Sequence, residues 1–265
     1  MADQAPDPTP AEEEDPLPTL GQSVVVRWLI GLNLIIHALN ALFPAEARDP
    51  KTGEVVLDSA TGEPVQVQLL TYLGNFNVIQ GINGYEFWRL FTYQFLHGGV
   101  FHLLMNMMAL YVFGPMIEKW WGPKRFIAFY LLCGACGAWL MALLAFFPSL
   151  VNAQSAWLVG ASGSIFGVLV AVAMIYPKVE VKLIIPPMWV TARKLAIVFI
   201  VLSFVSMFVG YNLGGNAAHI GGALFGYLLV RRPWSLDFAD PDAPKLDPPG
   251  KAEPDAADLG NKPGA

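Results

Sequence analysis

Six strongly apolar stretches of this chain carry no charged side chain: Trp28 to Phe43, Val100 to Ile117, Phe126 to Phe147, Ala156 to Pro177, Leu195 to Leu213 and Ala217 to Val230. About 20 residues of helix cross the ~30 Å hydrocarbon core of a bilayer at 1.5 Å per residue. Each stretch approaches that length, the last being the shortest. The pattern predicts six transmembrane helices and hence an all-α, polytopic membrane protein. Between the first two lies a first loop of about residues 44–99, too long for a mere connection. Its KTGEVV and ATGEPVQVQ segments predict a small hairpin with glycine-containing turns. The aromatic, amphipathic GYEFWRLFTYQFLH predicts a segment lying in the membrane interface. On composition alone Trp88 and Arg89 read as belt residues anchored at the headgroups.

Composition agrees. Of 265 residues 55% are hydrophobic and 14% charged, where a soluble domain carries roughly 25% charged residues. The net charge of −5 comes mostly from the two ends. Residues 1–22 and 233–265 are rich in Pro, Asp, Glu and Ala, too poor in apolar surface to offset chain entropy, and are expected to be disordered tails. The folded domain then covers 23–232. The acidic N-terminal tail lacks the positive region of a cleaved signal or transit peptide, so the first helix is expected to stay in the mature protein. Cys133 and Cys136 sit in CGACGA within the third hydrophobic stretch, where small-residue packing explains them better than a redox or metal pair.

Basic residues orient the helices. One set of alternate loops holds ten: Arg27, Lys119, Lys124, Arg125, Lys178, Lys182, Arg193, Lys194, Arg231 and Arg232. The opposite set holds three, Arg48, Lys51 and Arg89, all in the first loop. The positive-inside rule predicts cytoplasmic termini, with the first loop and the connections near 148–156 and 211–216 facing outward.

All 21 Asp and Glu residues lie outside the apolar stretches or at their ends, as Glu118 does. His37, His102 and His219 are the ionisable groups left inside, and such groups in hydrocarbon are functional candidates because they are costly there. Topology sorts them. Ser162 is predicted five or six residues into the fourth span from the outer side, and His219 two or three into the sixth. His102 and Asn106 open the second span and, four apart, share a helix face. These four groups fall within about 10 Å of one depth. His37, near Asn33 and Asn40, reads as a hydrogen-bonded structural histidine, and His97 in HGG as part of a turn. Gly160, Gly163 and Gly167 flank Ser162, and Gly222 and Gly226 follow His219. Small residues let helices approach closely in lipid, so the fourth and sixth helices are able to touch where Ser162 and His219 meet.

A serine hydroxyl becomes nucleophilic when a base takes its proton, a task suited to neutral imidazole. With no carboxylate in the membrane, the residues predict a Ser162–His219 dyad. Oxyanion donors at that depth are the Ser162 backbone N–H, the Asn106 amide and the His102 imidazole. The inventory disfavours an aspartyl protease, which needs two intramembrane aspartates. It also disfavours an H-E-x-x-H zinc site and the G-x-S-x-G elbow. A proton-coupled transporter usually keeps Asp or Glu near the midplane.

Together, Trp88-Arg89, H-x-x-x-N at His102 to Asn106, G-x-S-G at Gly160 to Gly163 and A-H-x-x-G-x-x-x-G from Ala218 to Gly226 resemble the rhomboid proteases of the bacterial six-helix type, over about residues 24–232. The resemblance implies a six-transmembrane-helix rhomboid-like bundle with an interfacial first loop that includes Trp88 and Arg89. It implies Ser162 as nucleophile, His219 as base, and His102 and Asn106 as oxyanion stabilisers. It suggests the segment from about Leu195 to Gly215 as a lateral gate. The implied substrates are single-span membrane proteins, cut near the outer end of the helix, in a bacterial inner membrane. No metal, cofactor or nucleic-acid partner is implied. Where the best-known members carry a tyrosine stacking on the histidine, this chain has Phe166, which keeps the aromatic face. The rival expectation is a catalytically inactive relative that binds membrane proteins; such relatives normally lack the serine or the histidine, and this chain has both.

Overall fold

The computed structural model describes residues 18–49, 52–147, 157–183 and 187–249. Of the tails expected over 1–22 and 233–265, residues 1–17 and 250–265 lie outside the described residues, as does the connection at 148–156. Helix α1 (Val24–Leu42) leads into the first loop, which holds strands β1 (Pro44–Glu46) and β2 (Gln66–Gln68), helix α2 (Leu69–Gly74), strand β3 (Phe76–Asn77) and helix α3 (Arg89–Thr92). There follow α4 (Val100–Trp121), α5 (Pro123–Leu144), β4 (Trp157–Leu158), α6 (Ser162–Ile175), β5 (Glu180–Leu183), β6 (Met188–Thr191), α7 (Ala192–Phe208) and α8 (Leu213–Arg231). The strands form three small antiparallel pairs, β1–β2, β3–β4 and β5–β6. The protein is an all-α polytopic membrane protein.

Four helices, α1, α4, α5 and α8, are long and apolar enough to cross a bilayer. The other two of the bundle are shorter, α6 with 14 residues and α7 with 17. At 1.5 Å per residue α6 covers about 21 Å, less than the hydrocarbon thickness. Among the described residues the expected span is thus helical only from Ser162, because Gly160 takes a left-handed φ of +120° just before it. Ten of the 14 residues of α6 are buried, so this helix is the axis of the bundle.

Close helix contacts explain the glycines. A Cβ on Gly222 would overlap the Gly163 carbonyl, and one on Gly226 would lie 2.7 Å from the Gly167 Cα. On the other face of α8, a Cβ on Gly221 would lie 2.9 Å from the Cys136 carbonyl. Helix α8 is therefore held backbone to backbone between α5 and α6, as van der Waals packing in lipid favours. The turn between α4 and α5 is as local: Gly122, at φ +76°, ends one helix and Pro123 opens the next. Glu118, 5% exposed, accepts from the backbone N–H of Val25 and of Val26, both at 2.9 Å. It satisfies two of the orphan donors at the start of α1.

Two expectations need correction. The first loop contains not one hairpin but two, joining three extended limbs. The two hairpins are marked by the antiparallel bridges Arg48–Val55 and Leu57–Pro64, with Gly53 and Gly62 at positive φ in the turns. Asp49 and Asp58 start those turns by accepting from the N–H of Thr52 and Thr61. The segment from 233 is not a free tail throughout. Pro233–Ala239 forms a 3-10 turn with Leu236 fully buried. The buried guanidinium of Arg125 donates to Asp237 at 2.8 Å and to the Pro244 carbonyl at 2.9 Å. Composition hid this because one buried leucine and one charged clamp suffice to dock the segment.

Candidate active site

Ser162 opens α6 as its first residue, and His219 is the seventh residue of α8. Both positions differ from the hydropathy reading, which sets Ser162 five or six residues into a span and His219 two or three. The two helices meet on the glycine faces described above, and this brings His219 Nε2 to 2.8 Å from Ser162 Oγ, across 57 residues of sequence. The Phe166 ring, one turn along α6, stacks on the imidazole at 4.1 Å between centroids and 5° between planes. On the far side of the imidazole, Nδ1 lies 3.1 Å from the hydroxyl of Ser203 on α7.

The second cluster stands beside Gly160. A Cβ there would lie 2.6 Å from His102 Cε1, 2.8 Å from its Nε2 and 3.7 Å from Asn106 Nδ2. Only glycine suits this position, for the space and for the left-handed φ. The backbone just before Ser162 is thus pressed against His102, with Asn106 behind it. One N–H of the Asn106 amide donates to the His102 carbonyl at 3.1 Å, leaving the other available. The Ser162 N–H, at the start of its helix, is among the donors that have no intrahelical acceptor. His102 also packs edge-on against His97, 5.1 Å between centroids. His97, in the loop before α4, is 1% exposed, and neither ring nitrogen has a hydrogen-bond partner among the described residues. Burial, and then the neighbouring His102 and His37, push its imidazole down to about 3.

A model of the rhomboid domain matches residues 84–232, more than half of the chain. The chain belongs to the rhomboid family. It is 33% identical over 144 residues to the rhomboid protease GluP of Bacillus subtilis, covering 54% of this chain and 25% of GluP. It is 35% identical over 167 residues to RHOMBOID-like protein 4 of Arabidopsis thaliana, covering 60% of this chain and 37% of that protein. It is 32% identical over 137 residues to the human mitochondrial presenilin-associated rhomboid-like protein, covering 51% and 35%. The chain thus spans less than half the length of each of these relatives.

In this rhomboid chain the first loop is fastened by residues whose roles composition obscured. Arg89 is 2% exposed and is no headgroup anchor. Its guanidinium donates to the carbonyls of Tyr72 at 3.0 Å and Asn75 at 2.8 Å, and its Nε to Glu86. Trp88 does stay half-exposed, with its indole N–H on the Leu73 carbonyl at 3.3 Å. Tyr93 and Gln94 tie the loop's end to the bundle. The Tyr93 hydroxyl donates to the Gly134 carbonyl at 2.7 Å, its own carbonyl accepts from Gly160 N–H at 2.9 Å, and Gln94 accepts from the Ser164 hydroxyl at 2.8 Å. Strand β4, leading to Gly160, pairs with β3 of the first loop. The loop therefore fixes the backbone that precedes the serine. His37 is not the hydrogen-bonded histidine expected: its Nδ1 is buried without a partner among the described residues.

Three contributors escaped the sequence reading. Tyr93 and Gln94 lay inside an aromatic segment read as interfacial. Ser203 lies in an apolar stretch, where a serine is a signal of the same kind as Ser162.

Proposed function

We propose that this rhomboid is an intramembrane serine endopeptidase that cleaves single-span membrane proteins near the outer end of their transmembrane helix. The observation that carries this reading is the 2.8 Å contact between His219 Nε2 and Ser162 Oγ, made by two helices held together through glycine. Membership of a family that includes a protease supports it further.

In the reaction, the Ser162 hydroxyl donates to Nε2 of neutral His219. As Oγ attacks the scissile carbonyl carbon, Nε2 takes the hydroxyl proton, and the carbonyl oxygen becomes an oxyanion. The Ser162 backbone N–H, the free N–H of Asn106 and the His102 imidazole stabilise that charge. Collapse of the intermediate breaks the C–N bond, and the imidazolium gives its proton to the leaving amine. A water molecule then loses a proton to Nε2 and attacks the acyl carbon. The ester C–O bond breaks, the acid product leaves, and the proton returns to Ser162 Oγ. Phe166 keeps the imidazole in plane throughout.

The short α6 supports a site below the outer surface. A helix of about 21 Å that ends next to Lys178 at the inner face leaves Ser162 recessed beneath the first loop, where water enters and a partly unwound substrate helix reaches. The ten-to-three distribution of basic residues supports cytoplasmic termini and an outward site. We place the protein in a bacterial cell membrane on its resemblance to the six-helix bacterial type.

The test compares wild type, Ser162→Ala and His219→Ala for labelling by a fluorescent fluorophosphonate and for cleavage of a model single-span substrate. Labelling and cleavage by wild type alone are expected. A folded wild type that neither labels nor cleaves overturns the reading in favour of an inactive membrane-protein binder.

A further inference from the structure

Helix α7 is seated on the bundle by a thin stripe. Its buried residues are Ala192, Leu195, Ala196 and Ser203, while Ile197, Val198, Val201, Leu202, Phe204 and Val205 are exposed. Ser203 is thus the outermost buried position of a helix most of whose side chains are exposed, and it is polar. A buried hydroxyl in such surroundings costs free energy unless it is hydrogen-bonded. Its partner is Nδ1 of His219, at 3.1 Å.

That contact supplies what the productive tautomer needs. For Nε2 to accept the Ser162 proton, the ring's single proton must sit on Nδ1, and an N–H there needs an acceptor. No Asp or Glu is found in the apolar stretches to supply one. The hydroxyl oxygen of Ser203 is an acceptor, and it also serves the imidazolium formed during attack, in which both nitrogens donate. The imidazole is thereby constrained on three sides: Ser162 at Nε2, Ser203 at Nδ1 and Phe166 across its face.

We propose that Ser203 is a positioning residue, the third member of a Ser162–His219–Ser203 relay, and that it couples the seating of α7 to the competence of the histidine. The proposal rests on the protease reading above. With α7 seated, Nδ1–H is held and Nε2 faces Ser162. With α7 tilted away, the imidazole loses that acceptor and is free to take the other tautomer, in which Nε2 carries the proton and cannot serve as base.

Threonine and valine are near-isosteric and differ by the hydroxyl, so Ser203→Thr and Ser203→Val separate hydrogen bonding from packing. Both are compared with Ser203→Ala and wild type, using the full chain in detergent and in liposomes. The measurements are the rate of fluorophosphonate labelling, kcat and KM on the model single-span substrate, and the melting temperature. The expected result is a loss of about 10- to 100-fold in kcat and labelling rate for Ser203→Val and Ser203→Ala, with KM and melting temperature close to those of Ser203→Thr. Ser203→Thr should stay within about threefold of wild type. Misorienting a catalytic group by about 1 Å costs a comparable factor. Equal activity of the Thr and Val variants, or a loss confined to KM, overturns the positioning role while leaving the protease reading intact. A wild type that itself fails to label and cleave overturns both.

Discussion

The imidazole of His219 and the ring of Phe166 lie 4.1 Å apart and within 5° of parallel, on different helices. On the proposed mechanism the stack holds the His219 imidazole against rotation out of the plane in which it meets Ser162. Offset aromatic stacks contribute about 0.5–1.5 kcal/mol beyond burial. Phe166→Tyr keeps the face and is expected to retain kcat within about threefold. Phe166→Ala removes the face and is expected to lower kcat by about 10-fold or more. Steady-state cleavage of the model substrate decides; equal kcat for Ala and wild type would show that the stack does not orient the base.

Asn106 lies behind His102 and offers one uncommitted N–H. On the proposed mechanism that N–H serves the oxyanion, so Asn106→Ala is expected to lower kcat by about 10- to 1000-fold. KM should change little, because the donor acts on charge that exists only in the transition state. A variant with unchanged kcat would reduce Asn106 to a packing residue.

Gly222 faces the Gly163 carbonyl with no room for a methyl group. Gly222→Ala must push α8 away from α6, and overpacking of this kind costs about 1–3 kcal/mol. The melting temperature should fall, and kcat should fall with it, since the same displacement lengthens the Ser162–His219 contact. Thermal unfolding in detergent measures the first and labelling the second. An unchanged melting temperature with full labelling would contradict the backbone-to-backbone packing.

Glu118 reaches the start of α1 from the end of α4, 93 residues away. Glu118→Ala leaves two N–H groups without that acceptor, at a cost of about 1–2 kcal/mol. Glu118→Gln keeps one acceptor oxygen and should be milder. Neither change should alter kcat at a temperature where both variants are folded. A melting temperature equal to wild type for Glu118→Ala would show that water replaces the cap fully.

Burial holds the His97 imidazole at about 3, below the ordinary value of 6.5. Its folded value is depressed, so the unfolded chain takes up the proton first. The associated stability is fully present above about pH 6.5 and is lost as the pH falls toward 3. His97→Phe cannot titrate, so the melting temperature of wild type should drop relative to this variant between pH 7 and pH 4. Parallel melting curves across that range would show that His97 is not kept neutral by the fold.

Much of this molecule is legible in its sequence, because the signals involved are local. Uncharged stretches of helical length define the bundle. The four-residue spacing of His102 and Asn106 sets both on one face of α4, and the glycines at 163, 167, 222 and 226 mark the helix faces that meet. Each is a property of one helix, carried by its own periodicity.

What the tertiary structure alone decides is rotation, depth and pairing between elements. The stretch VFIVLSFVSMF offers Ser203 and Ser206 equally, and only the seating of α7 turns the first, and not the second, onto His219. Arg89 reads as a headgroup anchor until the carbonyls of Tyr72 and Asn75 converge on it. Ser162 becomes the first residue of a 14-residue helix because β4 and Gly160 hold the chain before it. Residues 233–249 dock because Arg125, more than 100 positions earlier, meets Asp237. In these cases a deciding partner lies on another element of the fold. Hydropathy says which residues enter the membrane, but a hydrogen bond between helices depends on their crossing geometry, and that exists only once they pack.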